Sequence, residues 1–222
     1  MRCTPSGRVA GVCVRTPGGT RSVMPDRAPD PRMLAALKKA VGVLQDNGIP
    51  FALAGSMACW ALGGPPSRHD VDLAILRSDA DRALEALAAA GFRIERPPEG
   101  WLVKAWHDDI LVDLIWAPMG LQVTDDVLRA ARPVNVDGLP VPALAPTDVL
   151  TSKLLALNEG HLDFEGLLAM VRGVREQVDW PQLRRRTQAQ PLARSFLYMA
   201  GELGLIPVAR AGAPTPARKG AA

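Results

Sequence analysis

Cysteine is scarce in this chain. Cys3, Cys13 and Cys59 are all there is, and their spacing fits neither a disulfide framework nor a zinc site. That excludes a small disulfide-stapled extracellular module and points to a reducing compartment, the cytoplasm. Cys59 sits in an apolar run and reads as a small core residue. Long apolar runs are missing as well, so no segment suits a bilayer crossing and no membrane partner is expected. The basic N-terminal stretch lacks the apolar centre of a secretion signal. Neither sign of charge dominates: 26 Lys and Arg against 23 Asp and Glu leave +3, with a pI of about 9.0. Such a balance permits a polyanionic partner such as RNA without requiring one. The surplus gathers at Arg184, Arg185 and Arg186 and at Arg210, Arg218 and Lys219, where a solvated helix face or a loose tail explains it more readily than a nucleic acid. No internal repeat is visible.

What is present suits an ordinary globular fold. The 222 residues are 48% hydrophobic and 22% charged, enough for one domain, or for a sheet domain with a helical extension, without metal or disulfide support. Residues 1–30, rich in Gly, Pro, Arg, Ser and Thr, read as a disordered segment, and Met24 offers an alternative start. Residues 31–143 read as a mixed α/β core, 144–206 as helical, and 207–222 as a flexible tail.

The pattern in the core alternates. Pro31 to Asn47 has Leu34, Leu37, Ala40, Val41 and Leu44 at helical spacing, and Gly48 stops it. Phe51 to Ala54 predicts a short buried strand. Gly55 and Ser56 predict a turn, and Met57 to Leu62 a short helix. Val71 to Leu76 predicts a strand. Ser78 is expected to cap a helix ending near Ala90. Phe92 to Glu95, Leu102 to Trp106 and Ile110 to Ile115 predict further strands, the last two forming a hairpin over His107, Asp108 and Asp109. A short helix near Asp125 to Ala130 precedes a small hairpin, 133–136 and 139–141, turning at Asp137-Gly138. Four helices follow, at about 147–157, 163–175, 180–187 and 191–204.

The chemistry is carried by carboxylates in apolar surroundings. Asp70 and Asp72 lie two apart on a predicted strand, so both point to one face. The flanking Val71, Leu73, Ile75 and Leu76 make that strand buried, where two like charges repel and resist desolvation. A divalent cation resolves the conflict, and oxygen donors select magnesium or manganese. Asp113 repeats the anomaly inside Ile110-Leu111-Val112-Asp113-Leu114-Ile115. If its strand lies beside that of Val71, three carboxylates converge as metal ligands suited to displacement at phosphorus. The plainer alternatives are a turn capped by Asp70 and a pairing of Asp113 with Lys104 or Arg68. Upstream, Gly55-Ser56 joins a strand to a helix. It is either a simple tight turn or a place where backbone N–H groups and a hydroxyl meet a phosphate.

Gly55-Ser56, then Arg68-His69-Asp70-Val71-Asp72-Leu73, then Val112-Asp113-Leu114, resembles the nucleotidyltransferase superfamily with the DNA polymerase β-like core. More narrowly, Ala145 to Leu157 followed by His161-Leu162-Asp163-Phe164 is similar to the second signature of AbiEii/MenT-type nucleotidyltransferases, the toxins of bacterial toxin–antitoxin pairs. The resemblance spans about residues 34–205. It implies an α+β fold: a polymerase β-like mixed sheet with flanking helices, followed by a C-terminal helical bundle. It also implies an enzyme that transfers a nucleotide from a nucleoside triphosphate to a hydroxyl, with Mg2+, or Mn2+, as cofactor.

The resemblance assigns roles. Asp70, Asp72 and Asp113 would ligate metal, and Asp113 would also orient or deprotonate the attacking hydroxyl. Gly55 and Ser56 would hold the outer phosphates, Lys153 would contact the triphosphate, and Asp163 would position that lysine or the substrate. Arg68 would neutralise phosphate charge. Two departures stand out: His69 occupies a position that is often Arg or Thr, and Leu162 replaces a lysine before Asp163, with His161 as the nearby substitute cation. The acceptor implied first is the 3′ end of tRNA, with a cognate antitoxin protein as partner. An aminoglycoside or lincosamide antibiotic, or a protein hydroxyl, would be served by the same chemistry. A non-catalytic nucleotide- or RNA-binding module is the alternative of another class.

Overall fold

The structure, a computed structural model, describes residues 28–68 and 70–207. The expectations for residues 1–27 and 208–222, for Cys3, Cys13, Met24, Arg210, Arg218 and Lys219, and for His69 lie outside the described residues.

Helix α1 (Pro31–Asp46) opens on Asp30, whose carboxylate accepts the Arg32 N–H at 2.8 Å, with proline at its first position. It leads to β1 (Phe51–Leu53) and then α2 (Gly55–Ala61). The helix therefore begins at Gly55, two residues before the expected start. Strand β2 (Asp70–Ile75) follows. The expected cap by Ser78 is replaced by a 3-10 turn (Arg77–Asp79) leading into α3 (Ala80–Ala89). Neither Ser78 nor Asp79 makes a capping bond: Asp79 pairs with Arg82 at 2.9 Å, and that guanidinium also donates to the carbonyls of Asn47 and Gly48. The side chain that would close α3 instead ties it to the end of α1.

Strands β3 (Arg93–Glu95), β4 (Leu102–His107) and β5 (Ile110–Ile115) complete one wing, and α4 (Asp125–Arg129) links to β6 (Arg132–Val136) and β7 (Leu139–Ala143). The β6–β7 turn has Asp137 and Gly138 at φ 49° and 84°. This double left-handed turn matches the twist of a two-residue hairpin. The hairpin is not a separate appendage. All seven strands form one mixed sheet in the order β3-β4-β5-β2-β1-β7-β6, with β1 antiparallel to β2 and parallel to β7. Helices α5 (Pro146–Leu155), α6 (Phe164–Val174), α7 (Trp180–Thr187) and α8 (Pro191–Glu202) follow. The fold is thus α+β, a mixed sheet followed by a helical half.

One buried cluster runs from Met33 to Ile206. Val71, Leu73 and Ile75 are fully buried on one face of β2, leaving Asp70 and Asp72 on the other. Helices α1 and α3 pack on β2, β4 and β5, while α2, α5 and α6 pack together. The helical half is fixed at close range: a Cβ on Gly173 of α6 would lie 2.5 Å from the Gly64 Cα and 2.6 Å from the Gly63 carbonyl oxygen. Gly173→Ala is therefore expected to destabilise by about 2 kcal/mol, because backbone cannot step aside as a side chain does. Denaturant titration checks this, and an unchanged midpoint would contradict the close approach of α6 to the loop after α2.

Candidate active site

The parallel pairing of β2 with β5 builds the site. It sets Asp70 beside Leu111 and Asp72 beside Asp113. One oxygen from each of Asp70, Asp72 and Asp113 lies within 4.8 Å of the other two. Asp113 is only 8% exposed, and its Oδ1 is buried without a hydrogen-bond partner among the described residues. A buried carboxylate oxygen left unmated is costly unless something absent from the polypeptide satisfies it. The donor set is all oxygen, as a hard divalent cation demands. The residues therefore fit the expected metal.

Both inner carboxylates resist ionisation. Asp72 is pushed up to about 7 by burial first and then by the charge of Asp70. Lys153 pulls it down, Asp113 pushes it up, and a bond from the Ser56 N–H stabilises the charged form. Asp113 is pushed up to about 6, again by burial first. Lys104 opposes that shift, while Asp70, Glu95 and Glu99 add to it. Lys104 stands directly opposite Asp113 in the β4–β5 register and Glu95 opposite Lys104, so a row of alternating charge crosses the sheet beside the triad. Lys104 moderates Asp113 but leaves Oδ1 unmated.

These shifts set a pH dependence. Each folded-state value lies above the ordinary 3.8, so each group favours folding below about pH 4 and loses that contribution as pH rises through 6 and 7. Metal requires the deprotonated forms. In chelator, thermal scans are expected to show Tm falling between pH 5 and pH 8. Saturating Mg2+ or Mn2+ should raise Tm at pH 8 by about 5 °C, and by much less at pH 5. A metal-induced shift that is equal at both pH values would contradict the protonation scheme.

Gly55 acts by what it lacks. A Cβ there would lie 1.7 Å from the Asp72 Oδ2, and its φ is +51°. The glycine makes room for a carboxylate, and the neighbouring Ser56 N–H is given to that same carboxylate. The bend thus shapes the metal site first, leaving the Ser56 hydroxyl as the group with which it can meet phosphate.

The other expected site residues fall in different places. Lys153 on α5 lines a cavity with Gly55 and acts electrostatically on both Asp72 and Cys59. Cys59 itself is fully buried, its thiol pushed up to about 12 by that burial. Arg68 is exposed in the loop before β2. Asp163 is exposed and serves as the N-cap of α6, accepting the Gly166 N–H at 2.9 Å; it is not among the converging carboxylates. Of the arginine run, Arg186 bonds Asp148 at 2.5 Å and the Gly120 carbonyl at 3.1 Å, and Arg184 bonds the Pro207 carbonyl. Two of these three cations therefore serve the fold, and Arg185 is left as the exposed member.

Sequence reasoning passed over the cavity that holds Lys153. Its walls include Trp101, Met119, Asp148 and Ser152. The exposed Trp101, next to Gly100 in a Pro/Gly-rich loop, was the one signal available. The Asp148–Arg186 bond joins separate helices and leaves no local trace.

A family described as uncharacterised nucleotidyltransferase matches residues 28–203. No protein of curated function matches the sequence. Among solved structures, the antibiotic-resistance factor ANT(2'')-Ia is similar with a TM-score of 0.52 and 13% identity, over 78% of this chain and 98% of that one. The lincosamide antibiotic adenylyltransferase LnuA gives 0.45 and 14%, over 64% and 98%. An antigenic nucleotidyltransferase-like protein from Paracoccidioides brasiliensis gives 0.44 and 20%, over 75% and 93%. At these identities the ANT(2'')-Ia likeness speaks for the fold alone. No helix among the described residues is long and apolar enough to cross a membrane.

Proposed function

The chain belongs to the uncharacterised nucleotidyltransferase family, and from that membership we propose that it is a magnesium-dependent enzyme moving a nucleoside monophosphate onto an acceptor hydroxyl. The observation that carries the reading is the meeting of three aspartates within 4.8 Å, one of them with a buried, unmated oxygen.

The attacking hydroxyl oxygen forms a bond to the α-phosphorus, the bond from that phosphorus to the bridging oxygen breaks, and pyrophosphate departs. Asp70, Asp72 and Asp113 would hold the divalent cation. Bound there, it would screen phosphate charge and make the attacking hydroxyl more acidic. Asp113 orients that hydroxyl and accepts its proton. Lys153 reaches the triphosphate from α5, and the Ser56 hydroxyl meets the outer phosphates. Most of the catalytic effect is positioning and charge neutralisation on a rigid sheet. Asp163 caps α6 through one carboxylate oxygen and stays, as expected from the resemblance, a candidate for positioning Lys153 or the substrate.

For the acceptor we propose the 3′ end of tRNA, the reading given by the AbiEii/MenT-like signature at Ala145–Leu157 and His161–Phe164. The net charge of +3 is compatible with it without singling it out. The arginine run adds little, because Arg184 and Arg186 are hydrogen-bonded to partners in the chain itself. The test is incubation with each α-labelled nucleoside triphosphate and Mg2+, with total tRNA in one arm and aminoglycosides or lincosamides in another. Label on tRNA that is lost in Asp72→Asn is expected. Label on a drug alone would overturn the tRNA reading, and no pyrophosphate release with any acceptor would overturn the enzymatic one.

A further inference from the structure

Strand β1 ends too early to support all of β2. Its last backbone bond to that strand runs from the Ala54 N–H to the Asp72 carbonyl at 2.8 Å. Alternate residues of a strand aim their backbone groups to the same side, so the Asp70 carbonyl faces the β1 side as well. No strand stands there, because Gly55, at φ +51°, turns the chain into α2. A side chain fills the gap. Ser67, in the loop before β2, donates its hydroxyl to the Asp70 carbonyl at 3.1 Å. Ser67 is only 2% exposed, and a buried hydroxyl is costly unless its bond is made.

The donor is itself held in place. At the start of its loop, the Gly63 N–H meets the Trp60 carbonyl at 2.9 Å and the Gly64 N–H meets the Cys59 carbonyl at 2.8 Å. Gln177, just after α6, donates to the Leu62 carbonyl at 2.7 Å. Gly173 of α6 lies against Gly63 and Gly64 so closely that it has no room for a Cβ. The loop is therefore tied to α2 and α6 at one end and to β2 at the other. Asp70 is the residue with most need of such a tie. It is the first residue of β2 and is half-buried, and it has a strand neighbour on the β5 side alone. Strand ends open more readily than strand centres. A carboxylate oxygen that must stay within 4.8 Å of two others needs a backbone that does not swing.

We propose that Ser67 is a positioning residue of the metal site: its hydroxyl replaces the backbone bond that β1 cannot supply, and so keeps the Asp70 carboxylate in reach of Asp72 and Asp113. The inference rests on the metal-site reading above and deepens it. Ser67 acts through the Asp70 backbone and not by touching the cation. Partners that orient metal ligands in this indirect way are worth about tenfold or more in metal affinity.

The test is Mn2+ titration at pH 8, followed by electron paramagnetic resonance, on the full native chain and two variants, with amide hydrogen exchange measured on the same proteins free of metal. Ser67→Ala removes only the hydroxyl. It is expected to bind Mn2+ about tenfold more weakly and to exchange the amides of residues 70–72 faster. Thr187→Val is the control. Thr187 is also fully buried, and it donates to the Leu183 carbonyl at 2.9 Å within α7. Its loss should lower Tm and leave both Mn2+ affinity and exchange at residues 70–72 unchanged. If Ser67→Ala does not fold, Ser67→Cys, similar in size but a weak donor, takes its place. Native Mn2+ affinity in the Ser67 variant, or an equal loss of affinity in Thr187→Val, would overturn the positioning role. Unchanged exchange at residues 70–72 would overturn it as well. Failure of the native chain to bind Mn2+ would instead overturn the metal-site reading itself.

Discussion

Asp72→Asn is expected to lower nucleotide transfer by a thousandfold or more while raising the Tm of the metal-free protein at neutral pH. The two effects share one cause. Asp72 is ionised only against burial and against the charges of Asp70 and Asp113. Asparagine keeps the shape and can still accept the Ser56 N–H, but it removes the repelling charge, so the unliganded fold gains stability. The same change removes a ligand from the oxygen set that holds the cation. Loss of about 4 kcal/mol of transition-state stabilisation corresponds to about a thousandfold in rate. Pyrophosphate release and thermal scans on one preparation check both effects. Lost transfer with a lowered Tm would mean only a damaged fold, and retained transfer would contradict the metal-site role.

Gly55→Ala is the second large effect, and it needs no change of charge. The added methyl would lie 1.7 Å from the Asp72 Oδ2, so the carboxylate must rotate away from Asp113 or the backbone must move. The residue would also carry φ +51° with a side chain, a strain of about 1–2 kcal/mol. Gly48→Ala separates these contributions. Gly48 has φ +58° and open space around the missing Cβ, so its substitution measures backbone strain alone. Transfer by Gly55→Ala is expected to fall by about a hundredfold or more, whereas Gly48→Ala lowers Tm and leaves transfer near normal. Equal transfer by the two variants would show that the close contact with Asp72 is not needed for the chemistry.

The sheet wing and the triad were legible in the sequence because each leaves a local mark. Alternation along Asp70-Val71-Asp72-Leu73 fixes which carboxylates share a face. Asp113 announces itself by breaking an apolar strand, and Asp137-Gly138 by its turn chemistry. The pairing of β2 with β5 needed one further supposition, that the two strands are neighbours, which the parallel register supplies. Elsewhere local marks misled. Ser78 looks like a cap, but the choice was made by Arg82, whose guanidinium reaches Asp79 and the end of α1 together. Arg184 and Arg186 look like a polyanion surface, but their partners lie on segments far away in sequence. Gly55 reads as phosphate chemistry from its neighbours, whereas its first duty is to leave space for a side chain seventeen positions on. The cavity that holds Lys153 is assembled from a loop, a strand and a helix, and no short window of sequence contains it.

The most direct test of the central claim is Mn2+ binding followed by electron paramagnetic resonance at pH 8 and pH 5, on the native chain and on Asp72→Asn and Asp113→Asn. The native protein is expected to bind Mn2+ at pH 8, to lose most of that affinity at pH 5 as Asp72 and Asp113 take up protons, and each variant to bind at least tenfold more weakly at pH 8. Undiminished Mn2+ binding by both variants would contradict the account, because the three converging aspartates would then not be the cation site.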